Sequence, residues 1–262
     1  MKLEIEHETL YRYDAPVRSS TQVLRLTPTS SARQQVLEWT LETSGTATRT
    51  QDGYGNVLDV LTLDKPVAEI RIRAFGVVDT LDAVDEPADS GPNPLSPLVF
   101  LRATPLTRAD AALLHTAEAA RRQSGSPGGL RELGAVLAKK RGKLADNDAL
   151  THAFIACCRH LGVPARYVSG YVHTPAAGKD APATVGMHAW AEAWVEDRWR
   201  SFDLAAGASA GEQHIKLAIG ADYLDACPIR GIRTGGGLET MEMRAKARVA
   251  RAPRQAQRQA QG

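Results

Sequence analysis

Met187-His188-Ala189-Trp190-Ala191-Glu192-Ala193-Trp194-Val195, followed after Glu196-Asp197-Arg198 by Trp199-Arg200-Ser201-Phe202-Asp203, is the stretch that decides the fold. It predicts two short strands joined by a tight turn. Residues two apart on a strand share a face, so His188, Trp190, Glu192 and Trp194 point one way and the alanines between them the other. Pairing through the turn sets the start of the first strand beside the end of the second, so His188 and Asp203 can meet side by side. A carboxylate beside an imidazole fixes its tautomer and supports its protonated form, which is the base and orienter half of a catalytic triad. A Ser or Cys nucleophile then has to come from elsewhere in the chain.

The residues before this hairpin supply what packs on it. Residues 146–161 carry Leu150, Phe154, Ile155 and Cys158 on one helical face and stop at Gly162 before Pro164. Residues 166–172 read as another strand of the same sheet. Two more helices are expected upstream, one from Thr107 or Asp110 through Arg122, the other over 130–141, where Leu130, Leu133, Val136 and Leu137 recur at helical spacing. The first 80 residues alternate instead, Leu3, Ile5 and His7 against Lys2, Glu4 and Glu6, with strand-like runs at 21–26, 35–42, 57–63 and 69–78. Turn chemistry at Asp14-Ala15-Pro16, Pro28-Thr29-Ser30, Asp52-Gly53 and Gly55-Asn56 separates these runs, predicting several short strands in a sandwich or open barrel. No titratable cluster stands out there, and a structural or docking role is expected. The fold class is therefore α+β. An all-β domain is expected over 1–80 and a linker over 81–98, marked by Asp89-Ser90-Gly91-Pro92-Asn93-Pro94. A core of helices packed on an antiparallel sheet is expected over 99–243, and a basic, disordered tail over 244–262.

The 262 residues are 43% hydrophobic and 24% charged, ordinary proportions for a globular protein with a substantial core. A net charge of +2 gives no drive toward nucleic acid or membrane. No apolar run nears the roughly 18 residues of a membrane span, and the start MKLEIEHETLYRY lacks the apolar centre of a signal peptide. Three cysteines, two of them adjacent, make a poor disulfide framework, so a reducing, cytoplasmic compartment is expected. Asp146, Asp148, His152, His188 and Asp203 are metal-ligand residue types, but no short spacing such as His-x-x-x-His groups them. Gly235-Gly236-Gly237 lacks the strand-to-helix context of a phosphate loop. Neither a metal nor another cofactor is expected.

Several motifs in one order carry a resemblance. His152-Ala153-Phe154-Ile155-Ala156-Cys157-Cys158-Arg159-His160-Leu161-Gly162-Val163-Pro164-Ala165-Arg166-Tyr167, His188-Ala189-Trp190-Ala191-Glu192, Phe202-Asp203 and His214-Ile215 resemble the core of the bacterial transglutaminase-like family. Tyr11-Arg12-Tyr13, Leu24-Arg25-Leu26-Thr27-Pro28 and Asp52-Gly53-Tyr54-Gly55-Asn56 resemble that family's accessory β domain. The resemblance spans about residues 1–243. It implies a papain-like Cys-His-Asp core in which a cysteine opening a helix attacks amide carbonyls, with His188 as general base and Asp203 as its orienter.

The chain departs from that pattern at the nucleophile. Counting back five places from His152 puts Asn147 where the family has its cysteine; anchoring on Arg141-Gly142 puts Leu144 there. A helix N-terminus favours a thiolate through its free amides and dipole, whereas Asn147 beside Asp146 and Asp148 reads as capping chemistry. Cys157 and Cys158 lie about 15 Å further along the helix at 1.5 Å per residue and read as core. Cys227 lies in a loop that can return to the site, and Thr151 is one turn into the helix. The segment after Asp203, Leu204-Ala205-Ala206-Gly207, is apolar where the family has Pro-Thr-Asn. His188 and Asp203 are open to two readings, a buried hydrogen-bonded pair or a retained ligand-binding pair. Glu192 reads as a salt-bridge residue or a second functional carboxylate, His152 as packing, and Trp190 as the tryptophan nearest a cleft. Three functions follow: an inactive or impaired family member that binds a peptide-like ligand or partner protein; an amidase or acyl transferase with an unorthodox nucleophile; and a structural subunit docked through the N-terminal domain or basic tail.

Overall fold

The computed structural model describes residues 1–81, 85–86, 95–141, 146–175 and 183–249. In chain order the elements are β1 (Lys2–Leu24), β2 (Gln34–Thr43), β3 (Ala47–Gln51), β4 (Val57–Leu63), β5 (Val67–Thr80), β6 (Asp85–Glu86), α1 (Ala111–Ala120), α2 (Pro127–Arg141), α3 (Asn147–His160), β7 (Ala165–Thr174), β8 (Thr184–Val195), β9 (Arg198–Phe202), β10 (His214–Gly220), α4 (Tyr223–Ala226), β11 (Ile229–Gly235) and β12 (Glu239–Val249). The chain is α+β, two antiparallel sheets with helices packed on the second. Among the described residues no helix is long and apolar enough to cross a membrane.

The first sheet is built around β1. Where several short strands are expected at the start of the chain, one strand runs from Lys2 to Leu24 and bends at Asp14-Ala15-Pro16, where its register shifts. Each edge of β1 is covered by two strands laid end to end. On one side β5 pairs with residues 2–17 and β4 with 20–24; on the other β12 pairs with 3–13 and β11 with 17–24. Proline at the bend is tolerated because the partner changes there on both sides. Gly235, Gly236 and Gly237 carry the β11–β12 junction past the bend with positive φ values, a turn only glycine makes without strain.

The C-terminal strands therefore belong to the first sheet, not to the core or to a disordered tail. Residues 244–249 are strand because their pattern alternates: Ala245 and Ala247 pack on the core of the first sheet, while Arg244, Lys246 and Arg248 stand opposite Glu8, Glu6 and Glu4. A basic composition concealed a half-buried strand. Residues 250–262 of the expected tail lie outside the described residues, as do 82–84 and 87–94 of the expected linker. Within that linker Asp85 and Glu86 pair with β9, and a 3-10 turn over Pro97–Leu101, which straddles its expected end, buries Phe100.

The second sheet has the order β10-β7-β8-β9-β6, with α3 packed on β7 and β8. Asp110 caps α1 by accepting from the Leu113 amide (2.8 Å), and Gly162 ends the α3 turn with φ +79°. Two amide side chains from the first sheet dock on the edge strand β10. Gln34 accepts from the Lys216 amide and donates to its carbonyl, both at 2.8 Å; Asn56 does the same at Ile219, at 2.8 and 2.7 Å. Each mimics a strand residue and satisfies backbone groups that would otherwise be buried unpaired. Asn56 is itself held by Asp52, which also fixes Tyr54, whose hydroxyl donates to Asp225 at 2.6 Å.

His7 sits between the sheets, its ring joined to the Tyr171 hydroxyl at 2.7 Å and to Thr9 at 3.1 Å. Burial pulls its pKa down from 6.5 to about 4. The fold thus favours neutral His7, a contribution complete above pH 6.5 and lost as pH falls from 6.5 toward 4. Linkage gives a loss of about 3 kcal/mol across that window. In urea denaturation, the stability difference between wild type and His7→Gln should shift by about this amount in favour of the variant between pH 7 and pH 4. A difference constant with pH would mean that His7 titrates alike in both states.

Candidate active site

The site lies where the start of α3 meets the outer edge of β8. Asp146 caps α3, its carboxylate accepting from the Asp148 amide, and Asn147 is the first helical residue. The β8–β9 hairpin turns through Glu196 and Asp197 at φ 56° and 58°, the positive-φ pair of a two-residue hairpin loop. Pairing ends at Ala191–Phe202, so Asp203 stands one step beyond β9 and reaches His188.

The Asn147 side-chain amide donates to the Ala189 carbonyl at 2.8 Å and faces His188 Nδ1 at 3.3 Å. With a donor facing Nδ1, the proton of a neutral His188 lies on Nε2 and is donated to Asp203 Oδ2 at 2.9 Å. The same oxygen accepts from His214 Nε2 at 3.0 Å, and that ring's tautomer is fixed by the Gly211 amide donating to its Nδ1 at 3.2 Å. Asp203 Oδ1 accepts from the amides of Ala205 (3.1 Å) and Ala206 (3.0 Å). Asp203 is 2% exposed and His188 17%. Burial pushes the Asp203 carboxyl up, but hydrogen bonds from His188, His214 and the Ala206 amide outweigh it and hold the group well below the usual carboxylate range.

The geometry tests whether this cluster suits a metal. Among the described residues His188, Asp203 and His214 form the one group of three metal-ligating types, with ligand atoms within 4.8 Å of one another. A neutral imidazole that binds metal through Nε2 carries its proton on Nδ1. Here the Gly211 amide donates to His214 Nδ1 and blocks that proton. The arrangement fits two N–H donors on one carboxylate and does not fit a metal ion.

A cavity of about 420 Å³ opens above Asn147 and His188. Its walls include His7, Thr9 and Tyr11 of β1 and Met241 and Met243 of β12, so the first sheet forms part of the site. Asp146, Asp148 and Cys227 also line it. The Tyr167 hydroxyl donates to Asp148 at 2.6 Å; burial and that bond raise its pKa above the usual phenol value. Tyr11 is pushed up to about 12 by burial and by Glu239. Cys227 donates its thiol proton to the Ile229 carbonyl at 3.1 Å, and Cys157 and Cys158 are core residues with no exposure.

Asn147, His188 and Asp203 thus come together, whereas Trp190, Glu192 and His152 are not among the cavity's lining residues. Glu192 is buried between Arg166 (2.6 Å) and Lys216 (2.8 Å), and Arg166 stacks 3.9 Å over the Trp199 ring. Burial raises the Glu192 carboxyl, but its two cations bring it down to about 2. Trp190 packs edge-on against His214 at 5.3 Å, and a side chain at Gly170 would collide with its ring. His152 stacks on Tyr167 at 5.1 Å and accepts the Tyr223 amide at 3.1 Å. The sequence reading missed the roles of His214 and of the first sheet. A signal was present: His7 and Thr9 continue the inward face begun by Leu3 and Ile5, and polar residues on a buried face ask for partners.

Residues 3–79 match the bacterial transglutaminase-like N-terminal region, and residues 102–204 match the transglutaminase-like superfamily. The Mycobacterium leprae protein ML0607, itself uncharacterized, is 28% identical over 92% of this chain and 96% of its own length. The uncharacterized Mycobacterium tuberculosis protein Rv2569c is 27% identical over 88% of this chain and 87% of its own. The crystal structure of a Cytophaga hutchinsonii protein proposed to be a cysteine protease shares the fold, with a TM-score of 0.63 at 16% identity, covering 96% of this chain and 91% of that one.

Nitrogen-15 imidazole spectra, recorded where the rings are neutral, should show the Nε2–H tautomer for both His188 and His214, and added zinc should leave them unchanged. An Nδ1–H form of His214, or zinc-dependent shifts of both rings, would make the cluster a metal site instead.

Proposed function

Because this chain belongs to the transglutaminase-like superfamily, we propose that it holds a peptide-like ligand or a segment of a partner protein in the cavity above Asn147 and His188 without cleaving it. The observation that carries this reading is the side-chain amide of Asn147, bonded to the Ala189 carbonyl and facing His188 Nδ1. His188 Nδ1 is the lone pair that would take a proton from a nucleophile at the start of α3. An amide N–H is far too weak an acid to give one up, so the base meets a donor it cannot deprotonate.

The rest of the frame supports binding. The His188–Asp203–His214 network keeps its hydrogen bonds, and the cavity adds Tyr11, Ser169 and Asp148 beside apolar methionine walls. Such a mixture of apolar wall and few convergent polar groups suits an amide-bearing ligand. A second reading keeps amide hydrolysis or acyl transfer through Cys227, favoured by that residue's place in the same cavity.

Wild type, Asn147→Cys, His188→Ala and Cys227→Ser, each assayed on peptide amides and esters, separate the two. Wild type is expected to be silent. Asn147→Cys should gain an iodoacetamide-sensitive activity, its new thiol alkylating at least about tenfold faster than Cys227 because a helix start beside an imidazole favours the thiolate. Turnover by wild type that disappears in both His188→Ala and Cys227→Ser would overturn the binding reading in favour of the enzyme.

A further inference from the structure

We propose that an extended peptide alternating apolar and acidic residues docks along the outer edge of β12 as an added strand, its apolar side chains meeting Met241 and Met243 at the cavity mouth. The inference rests on the cavity's reading as a peptide-ligand site and names the peptide.

The inner face of the first sheet is an unfinished row. Cross-strand pairing sets Ile72, Thr9 and Met243 in one line and Ile70, Tyr11 and Met241 in the next. Ile70, Ile72 and Thr9 are at most 1% exposed, but Met241 is 55% and Met243 48% exposed. Burial fails at β12 because the row stops there. β12 spends its inner edge on β1 from Val249 to Glu239, and among the described residues no strand pairs with its outer edge. That edge presents unpaired backbone donors and acceptors, the template for strand addition. A strand laid beside it would put alternate side chains next to Met241 and Met243, over the cavity whose far wall carries Met187 and His188.

The outer face sets the charge of the partner. Glu8, Glu6 and Glu4 of β1 stand opposite Arg244, Lys246 and Arg248 of β12, an acidic column beside a basic one. Opposite charges across a ladder attract and like charges repel, so the next column is acidic opposite Arg244, Lys246 and Arg248; Glu242, on the same face between the two methionines, is already paired with Arg12 and Arg244. The same cations disfavour pairing of two β12 edges from separate copies. The side-chain alternation of a strand then requires apolar residues between the acidic ones.

The chain has four methionines, Met1, Met187, Met241 and Met243, and three of them line the cavity. Methyl-carbon-13 methionine spectra therefore read edge and cavity separately. The probe is a peptide alternating valine and glutamate, about seven residues long, with two controls: one N-methylated at alternate amides, the other with lysine replacing glutamate. The valine–glutamate peptide should shift the Met241 and Met243 signals, and Met187 with them. N-methylation should abolish binding. Lys246→Glu with Arg248→Glu should weaken it about tenfold and transfer the preference to the lysine peptide; the unchanged methionine spectrum of the free variant reports that it is folded. Shifts at Met241 and Met243 without Met187 would support the edge site and remove the cavity reading. A Met187 shift indifferent to N-methylation and charge reversal would keep the cavity and overturn the edge proposal, as would no shift anywhere at millimolar peptide.

Discussion

The backbone edge of β10 that faces away from β7 is the constraint on which the two-sheet arrangement turns. Strand edges buried without partners are costly, and here the side-chain amides of Gln34 and Asn56 take the place of a further strand. Each amide offers one donor and one acceptor with the spacing of a peptide unit, so the first sheet can dock in only one register. That register carries β1 across the second sheet and brings His7 against Tyr171 and Tyr11 over the start of α3. The accessory sheet is thereby a wall of the candidate site as well as a support for it.

Within the site the corresponding constraint is the buried charge of Asp203. A carboxylate with almost no exposure persists only if its oxygens are filled, and four N–H groups fill them: two imidazoles and the amides of Ala205 and Ala206. This explains how the segment after Asp203 can be apolar in side chain while the site keeps its shape. The contacts come from the backbone. Glu192 is handled by the same rule with different partners, its charge shared between Arg166 and Lys216, and so belongs to the support of the sheet.

Local pattern made the hairpin, the three main helices and the meeting of His188 with Asp203 legible, because period and turn chemistry are short-range. The start of α3 was legible only to within a few residues: two ways of counting left Asn147 and Leu144 open, and the structure puts Asn147 at the first helical position. What escaped was long-range. Nothing near residues 239–249 says that Ala245 and Ala247 face a core made by the first strand, since the burial depends on residues more than 200 positions away. His7 likewise lies 140 positions from Asn147 and 181 from His188, the site it helps to wall. His214 escaped for a different reason: one carboxylate accepting two imidazoles leaves no spacing signature in the chain.

Position 147 also has a structural task that a cysteine would perform less well. The β8–β9 pairing ends at Ala191–Phe202, so the Ala189 carbonyl, two residues on, points outward with no strand to receive it. The Asn147 amide has two N–H bonds and directs one to that carbonyl and one toward His188 Nδ1. A thiol has a single weak donor and could serve one of them. Each such hydrogen bond contributes about 1 kcal/mol net, and leaving a buried acceptor unmade costs more than that. Asparagine here closes the sheet edge and occupies His188 Nδ1 at once, at the cost of its own Oδ1, which is buried without a hydrogen-bond partner among the described residues. Turnover needs His188 Nδ1 free to accept a proton; under the binding reading proposed above that nitrogen is held instead, and Asn147 is the residue that faces it.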